Sequence, residues 1–530
     1  MSKVKHGKRY YKQMSLEVAV RNPERYYDFL MTYNKFEGVV LNDENILNIF
    51  IQLYLDGVVT SKGFDKEKSD FEKAKDFVLT LSHNNEWGFP TGYQAAFTRY
   101  LKTLSEFGFI YAQYNEVFRI SAVGKAVISK KITLSEAFAL QSMRFWRKSP
   151  YRRVLNDFNY FEFIYKTLIK LQSMDKKLSY PQFMVSLFSD NGNVEEFISL
   201  IQENNFGNDL NKAYNYLINK YNIKDNTRSD ICKIKTAFND YGNTVFRLLQ
   251  LTGFITVDYS NILLLSINNN RLNFLERLFK FHFSVTEEAK ESEEIYFNEI
   301  GSFSNNFERV IIDYRESEEN STLDYNKKIP AIIKSYNLSQ ESLAKYIIDV
   351  SNGKKDKGVF WYIQEPLKFE FLLALFLYAS YGDKYQYRPN YKCDDFGIPY
   401  SHAPGNIGDI EIYDNNNYWL VEATLIRNKN QQVNNETINL FRHINKGDYA
   451  NKYLSLVAPY IHEDTQLMLK AATIVTMYEQ KYFNLYSYPQ TTSDFVKSVN
   501  NKSNLIEIKK YSEKFIEEIK DFLFNVNIWF

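Results

Sequence analysis

The stretch Gly408-Asp409-Ile410-Glu411-Ile412-Tyr413-Asp414, followed by Asn415-Asn416 and then Asn417-Tyr418-Trp419-Leu420-Val421-Glu422-Ala423-Thr424, decides the reading of this chain. Apolar and polar residues alternate on both sides of an Asn-rich break, a pattern that predicts a β-hairpin. With the turn centred on Asn415-Asn416, Tyr413 faces Tyr418, Glu411 faces Leu420 and Asp409 faces Glu422. Directly opposed residues have Cβ atoms about 4.5–5.5 Å apart, and like charges in that relation destabilise a sheet. The pair therefore calls for a cation between the two carboxylates. Mg²⁺ suits an all-oxygen pair, and bound Mg²⁺ suits phosphodiester chemistry.

Working outward, Glu365 to Ser380 reads as a helix begun by Pro366, Thr437 to Tyr453 as another, and Leu454 to Pro459 as a buried strand. Residues 463–530 read as helices. Helix, hairpin, helix and strand together predict an α/β sandwich around a small mixed sheet. The two-residue period sets Asp409, Glu411, Glu422 and Thr424 on one face of the hairpin. Asp409, twelve residues, Glu422, one residue and Thr424 have the form of a PD-(D/E)xK nuclease motif, with Gly408 in the Pro place and Thr424 in the Lys place. Glu370 lies between Phe369 and Phe371, where a carboxylate must find a cation or a partner. Glu436 opens the next helix, where the helix dipole alone already favours an acid. Glu411 reads as solvated or as steadying the pair, as does Thr424. Arg442 reads as a phosphate clamp or a core cap. His443 and His402 read as general bases or as packed side chains.

The N-terminal half has a different character. Residues 1–27 are basic and aromatic, a solvated tail or an arm on DNA. Ala95 to Phe107 is apolar at three- and four-residue spacing and ends at Gly108. Two short strands follow, Phe109 to Tyr111 and Val117 to Ile120, and a helix starts at Ser121. Helix, Gly, strand, loop, strand is the shape of a winged helix, whose main helix enters a major groove. It recurs at Ser229 to Leu251, Gly253, Phe254 to Val257 and Ile262 to Leu265. Each copy alone reads equally as a packing domain; the pair favours DNA. Arg99 and Lys102 on the first main helix and Lys233 and Lys235 on the second are candidate DNA contacts. So are Arg144, Arg147, Lys148, Arg152 and Arg153, five cations in ten positions interleaved with aromatics, or else a basic helix end on a solvated face.

At 530 residues the chain is too long for one core, which predicts three or four domains. The net charge of +1 gives no global attraction to nucleic acid, so any such surface is local. Two cysteines, Cys232 and Cys393, exclude a thiolate metal cluster and point to a reducing cytoplasm. No leader or membrane span is expected, since the longest apolar run, Phe369 to Ala379, is broken by Glu370. No Gly-x4-Gly-Lys-Ser/Thr loop, Gly-x-Ser-x-Gly elbow or methylase Pro-Pro-Tyr loop occurs, which sets aside ATP-driven translocation, a serine hydrolase and a fused methylase.

Several segments together resemble the type IIS restriction and nicking endonucleases related to AlwI and to the BspD6I nickase large subunit. They are Phe369-Glu370-Phe371-Leu372, Ser401 to Ile412, Val421 to Thr424, Glu436 with Arg442-His443, Ala458-Pro459, Phe118 to Lys125, and Trp146 with Ser149-Pro150. The likeness is weak through 155–225 and 270–350. It implies a mainly α N-terminal half with winged-helix modules and a C-terminal α/β PD-(D/E)xK nuclease domain. The expected boundaries are 1–155 and 156–284 for two DNA-recognition subdomains, 285–350 for a linker and 351–530 for the nuclease. It implies an acidic site of Glu370, Asp409, Glu422 and Glu436, with Asp409 and Glu422 holding Mg²⁺, and Thr424 in the Lys place agrees with this family. The implied substrate is double-stranded DNA, cut near a short asymmetric sequence in a bacterial cytoplasm. A second copy or a small nuclease subunit would cut the other strand, and a cognate methyltransferase would be encoded nearby. The alternatives are a strand-specific nickase, the large subunit of a heterodimer, or, from another class, a winged-helix regulator without catalysis.

Overall fold

The computed structural model describes residues 11–61, 63–66, 69–81, 92–152, 154–221, 240–259, 263–281, 283–322, 325–354, 360–403, 407–427, 429, 432–444, 447, 449–481 and 484–526. The chain divides into two compact units, Met1–Ser317 and Glu318–Phe530. Among the described residues no helix is long and apolar enough to cross a membrane.

In the first unit the helix Gly92–Glu106 buries Tyr93, Phe97, Leu101 and Leu104. Gly108 turns the chain at φ +69, and a Cβ there would lie 2.4 Å from the Ile300 side chain, so both conformation and space require glycine. Strand β1 (Ile110–Tyr111) then pairs antiparallel with β2 (Arg119–Ile120). Ser121 caps the next helix, Ala122–Ile128, by accepting from the Gly124 amide at 3.1 Å. Later in the unit, β3 (Leu178–Ser179), β4 (Ile255–Tyr259) and β5 (Leu263–Ile267) form an antiparallel sheet in the order β3-β5-β4. The helix Gly242–Leu251 leads into β4 through Gly253 at φ +71. Both helix–glycine–hairpin shapes are therefore formed, and the second gains the unforeseen strand β3. Residues 229–239 of the expected second main helix, with Lys233 and Lys235, lie outside the described residues.

Where a linker was expected, the helices Glu287–Glu291 and Glu293–Ile300 belong to the first unit. Val285, Ala289, Tyr296 and Ile300 make a small core there with Trp146 and Tyr151 at its margin.

The second unit is built on a mixed sheet of β6 (Gln386–Pro389), β9 (Ile410–Tyr413), β10 (Asn417–Ala423), β11 (Asn451–Ala458) and β12 (Leu485–Thr491), in the order β12-β11-β10-β9-β6. Between β6 and β9 in sequence, β7 (Lys392–Cys393) and β8 (Pro399–Ser401) form a separate pair. Strands β6, β9 and β10 run antiparallel, whereas β10, β11 and β12 are parallel. One face packs Tyr418, Leu420, Leu454, Leu456 and Leu485 against Leu440, Ile444 and Leu469. On the other, Trp419 meets Tyr381 and Phe495 with ring centroids 6.3 and 6.1 Å apart. The helix Glu365–Tyr381 is buried along nearly its whole length.

Two expectations change here. The helix expected over 437–453 is a π-helical turn, Gln432–Thr437, and a short helix, Ile438–Arg442, while β11 already starts at Asn451 because it pairs in parallel with β10 from Asn417 onward. Residues 463–530 are not all helical, since β12 lies between the helices Glu463–Gln480 and Thr492–Asn500.

Candidate active site

The hairpin register places the two acids opposite each other. Tyr413 pairs with Tyr418, Glu411 with Leu420 and Ile410 with Val421, so Asp409, one residue before the ladder, comes level with Glu422. The turn is held by Asp414, whose Oδ1 accepts from the amides of Asn416 and Asn417, both at 2.7 Å. Asp409 is fixed from both sides. Its carbonyl accepts from the Asn390 amide at 2.9 Å, and its Oδ2 accepts from the Ala423 amide at 2.8 Å. Gly408 now has a physical cause. A Cβ there would stand 2.2 Å from Leu420 Cδ1 and 3.1 Å from Glu422 Oε1, so the motif's usual proline, or any other residue, would have to displace both side chains.

Burial, then the Glu422 and Glu370 carboxylates, push the Asp409 carboxyl well above the ordinary range, and Glu422 is within hydrogen-bonding reach of it. Glu370, buried on the helix Glu365–Tyr381, thus joins the pair. Two histidines back the acids. His402 Nδ1 lies 2.5 Å from Glu370 Oε1, and His443 Nδ1 lies 2.6 Å from Glu422 Oε1. An ionised carboxylate only accepts, so each Nδ1 is the donor. The second oxygen of Glu370, Oε2, is buried with no protein partner among the described residues.

The other candidates part from this centre. Glu411 is buried, accepts from the Tyr418 hydroxyl at 3.2 Å and lies 3.9 Å from Arg388, and burial raises its carboxyl. Thr424 is buried, and its Oγ1 accepts from the Ile426 amide at 3.1 Å, closing the chain after β10. Arg442 is exposed. Glu436 belongs to the turn Gln432–Thr437, and its side chain lies outside the described residues. His402 and His443, read from the sequence as general bases or packed side chains, are instead the donors to Glu370 and Glu422. The signal for the first pairing was that Glu370, set among Phe side chains, had to have a partner.

A divalent cation fits this arrangement chemically. Two like-charged carboxyls in contact and a buried carboxylate oxygen without a donor are oxygen ligands for a hard ion. Among the described residues no three His, Cys, Asp or Glu side chains form a ready-made cage. Mg²⁺ needs none, because it keeps several waters and binds through one or two carboxylates plus substrate phosphate.

The basic stretch at 144–153 needs a correction. Arg144 is buried and donates to the carbonyl of Ser302 at 2.8 Å, to Glu299 at 2.5 Å and to Ser302 Oγ at 2.8 Å. Arg147 is buried, donates to the Ser189 carbonyl at 2.9 Å and to that of Lys12, and is cut off from water strongly enough to be pushed down to about 9. Arg152 pairs with the buried Glu106 at 2.7 Å. Lys148 faces Asp157 at 3.4 Å and Glu287 at 3.6 Å. Arg144, Arg147 and Arg152 are turned into the first unit and tie it together, Lys148 is half-buried between its acids, and Arg153 lies outside the described residues. Arg99 and Lys102 are half-buried on Gly92–Glu106.

The sequence profile of the AlwI restriction endonuclease family matches residues 105–340 and 312–498, most of the chain. The chain belongs to the AlwI restriction endonuclease family. The AlwI profile thus takes in Glu370, Asp409 and Glu422 as well as both hairpin shapes of the first unit, and the type IIS resemblance of the sequence holds. Among solved structures, the small subunit of the heterodimeric restriction endonuclease R.BspD6I is 21% identical, with a TM-score of 0.24 over 33% of this chain and 86% of that one. The DNA-bound BpuJ1 endonuclease binding domain is 13% identical, with a TM-score of 0.30 over 50% and 96%. FokI is 10% identical, with a TM-score of 0.24 over 93% and 97%. No curated protein matches.

Proposed function

We propose that this AlwI-family chain is a Mg²⁺-dependent type IIS endonuclease. In this reading its first unit binds a short asymmetric duplex sequence through the two helix–glycine–hairpin modules, and its second unit, a PD-(D/E)xK nuclease, hydrolyses a phosphodiester nearby. The contact of Asp409 with Glu422 at the end of a hairpin carries the reading, because that contact is unfavourable without a cation.

Asp409 and Glu422 would hold the ion. When bound, Mg²⁺ supplies charge on the scissile phosphate and a more acidic water. The Ala423 amide keeps the Asp409 carboxylate in place, and the His443 donor fixes Glu422. Glu370, steadied by His402, leaves Oε2 to orient water or to take a proton from it. Thr424 occupies the Lys place, is buried and bonded to backbone, and so contributes no charge. One such site cuts one strand at a time. Double-strand cleavage then needs a second nuclease unit, and a lone unit would leave a nick.

Incubation of the purified chain with plasmid and Mg²⁺, followed by run-off sequencing of the ends, tests this. We expect defined cuts at a fixed offset from one sequence, abolished by Asp409→Ala and by chelation while DNA binding persists. Undiminished cleavage by Asp409→Ala refutes the assignment. Sequence-specific binding with no cleavage under any divalent cation favours the regulator instead.

A further inference from the structure

Glu411 is a buried acid that the chemistry above does not use. It stands two residues after Asp409 and projects from the same face of the hairpin. A carboxylate taken out of water needs donors or a cation. Glu411 has one hydroxyl, that of Tyr418 at 3.2 Å, and the guanidinium of Arg388 at 3.9 Å, too far for a hydrogen bond. Arg388 is the residue directly opposite on the edge strand β6. Its side chain is 60% exposed, and among the described residues it makes no hydrogen bond. A guanidinium carries five donors. The buried acid therefore holds a cation over itself and leaves that cation's donors to be used elsewhere.

Resting on the nuclease reading above, we propose that Arg388, aligned by Glu411, binds the backbone phosphate next to the one that is cut. The register sets the distance. The Asn390 amide donates to the Asp409 carbonyl at 2.9 Å, so Asn390 stands across from Asp409, with Arg388 two residues away on β6. Two residues of strand and one strand spacing put the Cα atoms of Arg388 and Asp409 about 8 Å apart. That is close to the step between neighbouring phosphates of one DNA strand. Arg388 also projects from the face that carries Asp409 and Glu422. A strand held at the acid site by its scissile phosphate therefore brings the next phosphate to the guanidinium. The charges agree with this. Three carboxyls gather at the site, Thr424 brings no charge in the Lys place, and Arg388 supplies a positive one from the neighbouring strand. The planar fork of an arginine can give two donors to a phosphate while its charge stays near Glu411. A bidentate pair with Glu411 would have taken those donors, and at 3.9 Å it is not formed.

The test uses the full chain and a duplex whose cut position run-off sequencing has defined. One phosphate flanking the scissile bond, on either side in turn, is replaced by an uncharged methylphosphonate. Single-turnover cleavage with Mg²⁺ is measured for the parent, Arg388→Gln, Arg388→Lys and the double variant Arg388→Gln with Glu411→Gln, alongside melting and the salt dependence of DNA affinity. We expect Arg388→Gln to cleave the unmodified duplex at least about tenfold more slowly. One of the two methylphosphonates should slow the parent by a similar factor and Arg388→Gln by no more than about twofold, because the partner is already gone. Arg388→Lys should recover part of the rate. The slope of log affinity against log salt should fall by about one in both Gln variants. In the double variant, stability lost with the cation returns and the rate does not, which separates folding from phosphate binding. Parent-like cleavage by Arg388→Gln, methylphosphonate penalties as large in Arg388→Gln as in the parent, or a rate restored by Glu411→Gln overturns the contact. If the parent cuts no DNA the nuclease reading fails, and the salt slope alone decides: a slope lower by about one in Arg388→Gln supports the phosphate contact and an unchanged slope overturns it.

Discussion

Replacing Asp409 with Asn should make the cation-free protein more stable and the cation-loaded protein less so. The amide retains an oxygen to accept from the Ala423 amide, so the change removes charge and little else. Two unit charges about 5 Å apart, the spacing of opposed hairpin residues, repel by about 3 kcal/mol at an effective dielectric constant of about 20. Part of this is relieved when Asp409 keeps a proton, which is the sense of its raised carboxyl. A folded-state carboxyl held above its unfolded value binds more protons in the native than in the unfolded chain. Stability therefore falls as pH rises above 3.8 toward the raised value. The gain from Asp409→Asn should accordingly grow with pH, reaching roughly 1–3 kcal/mol in EDTA at alkaline pH. For a unit the size of Glu318–Phe530 each kcal/mol moves the melting temperature by about 2–4 °C. Saturating Mg²⁺, at about a hundred times its dissociation constant, should stabilise the parent by about 2.7 kcal/mol and the variant hardly at all, so the order of the two melting curves inverts. Thermal melts from pH 6 to 9, with EDTA and with Mg²⁺, read this out. A parent more stable than the variant in EDTA across that range, or equal Mg²⁺ shifts in both, would refute the reasoning.

Gly408→Ala should lower stability by about 1–3 kcal/mol through overpacking and slow cleavage at least tenfold, because the new Cβ meets Leu420 and the Glu422 carboxylate; parent-like melting and rate would show the close approach to be unimportant. His402→Ala should slow cleavage and lower the melting temperature, by about 1–3 kcal/mol for the buried carboxylate left without a donor, with His402→Gln recovering part of both; an unchanged rate removes His402 from the site. Arg147→Ala should destabilise the first unit by about 1–3 kcal/mol, because the Ser189 and Lys12 carbonyls lose their donor, while leaving the salt dependence of DNA binding per folded molecule unchanged, measured by melting and by affinity against ionic strength. A slope reduced by about one at unchanged stability would return Arg147 to the phosphate backbone.

The sequence carried the hairpin in full because its signals are local. The Asp414 to Asn417 turn and the two-residue alternation fix the register, and the register fixes the facing of Asp409 and Glu422. Of the five strands in the sheet of the second unit, the two that escaped notice, β6 and β12, are its edges, and each contains a proline, Pro389 and Pro489. Proline is tolerated at an edge and argues against a strand when only the sequence is seen. Arg144, Arg147 and Arg152, which turn inward, were illegible for a different reason. Their acceptors at Ser302, Glu299, Ser189, Lys12 and Glu106 are far away in sequence, so nothing local distinguishes a guanidinium that binds carbonyls from one that binds phosphates. The same distance hid the pairing of His402 with Glu370 and of His443 with Glu422, although the need of Glu370 for a partner was plain from its Phe neighbours.

The most direct test of the central claim is the anomalous difference map of a crystal soaked in Mn²⁺, an ion that takes the same oxygen ligands. The account expects a peak between the Asp409 and Glu422 carboxylates that disappears in Asp409→Asn. An empty site at saturating Mn²⁺, with the two side chains still in contact, would contradict it.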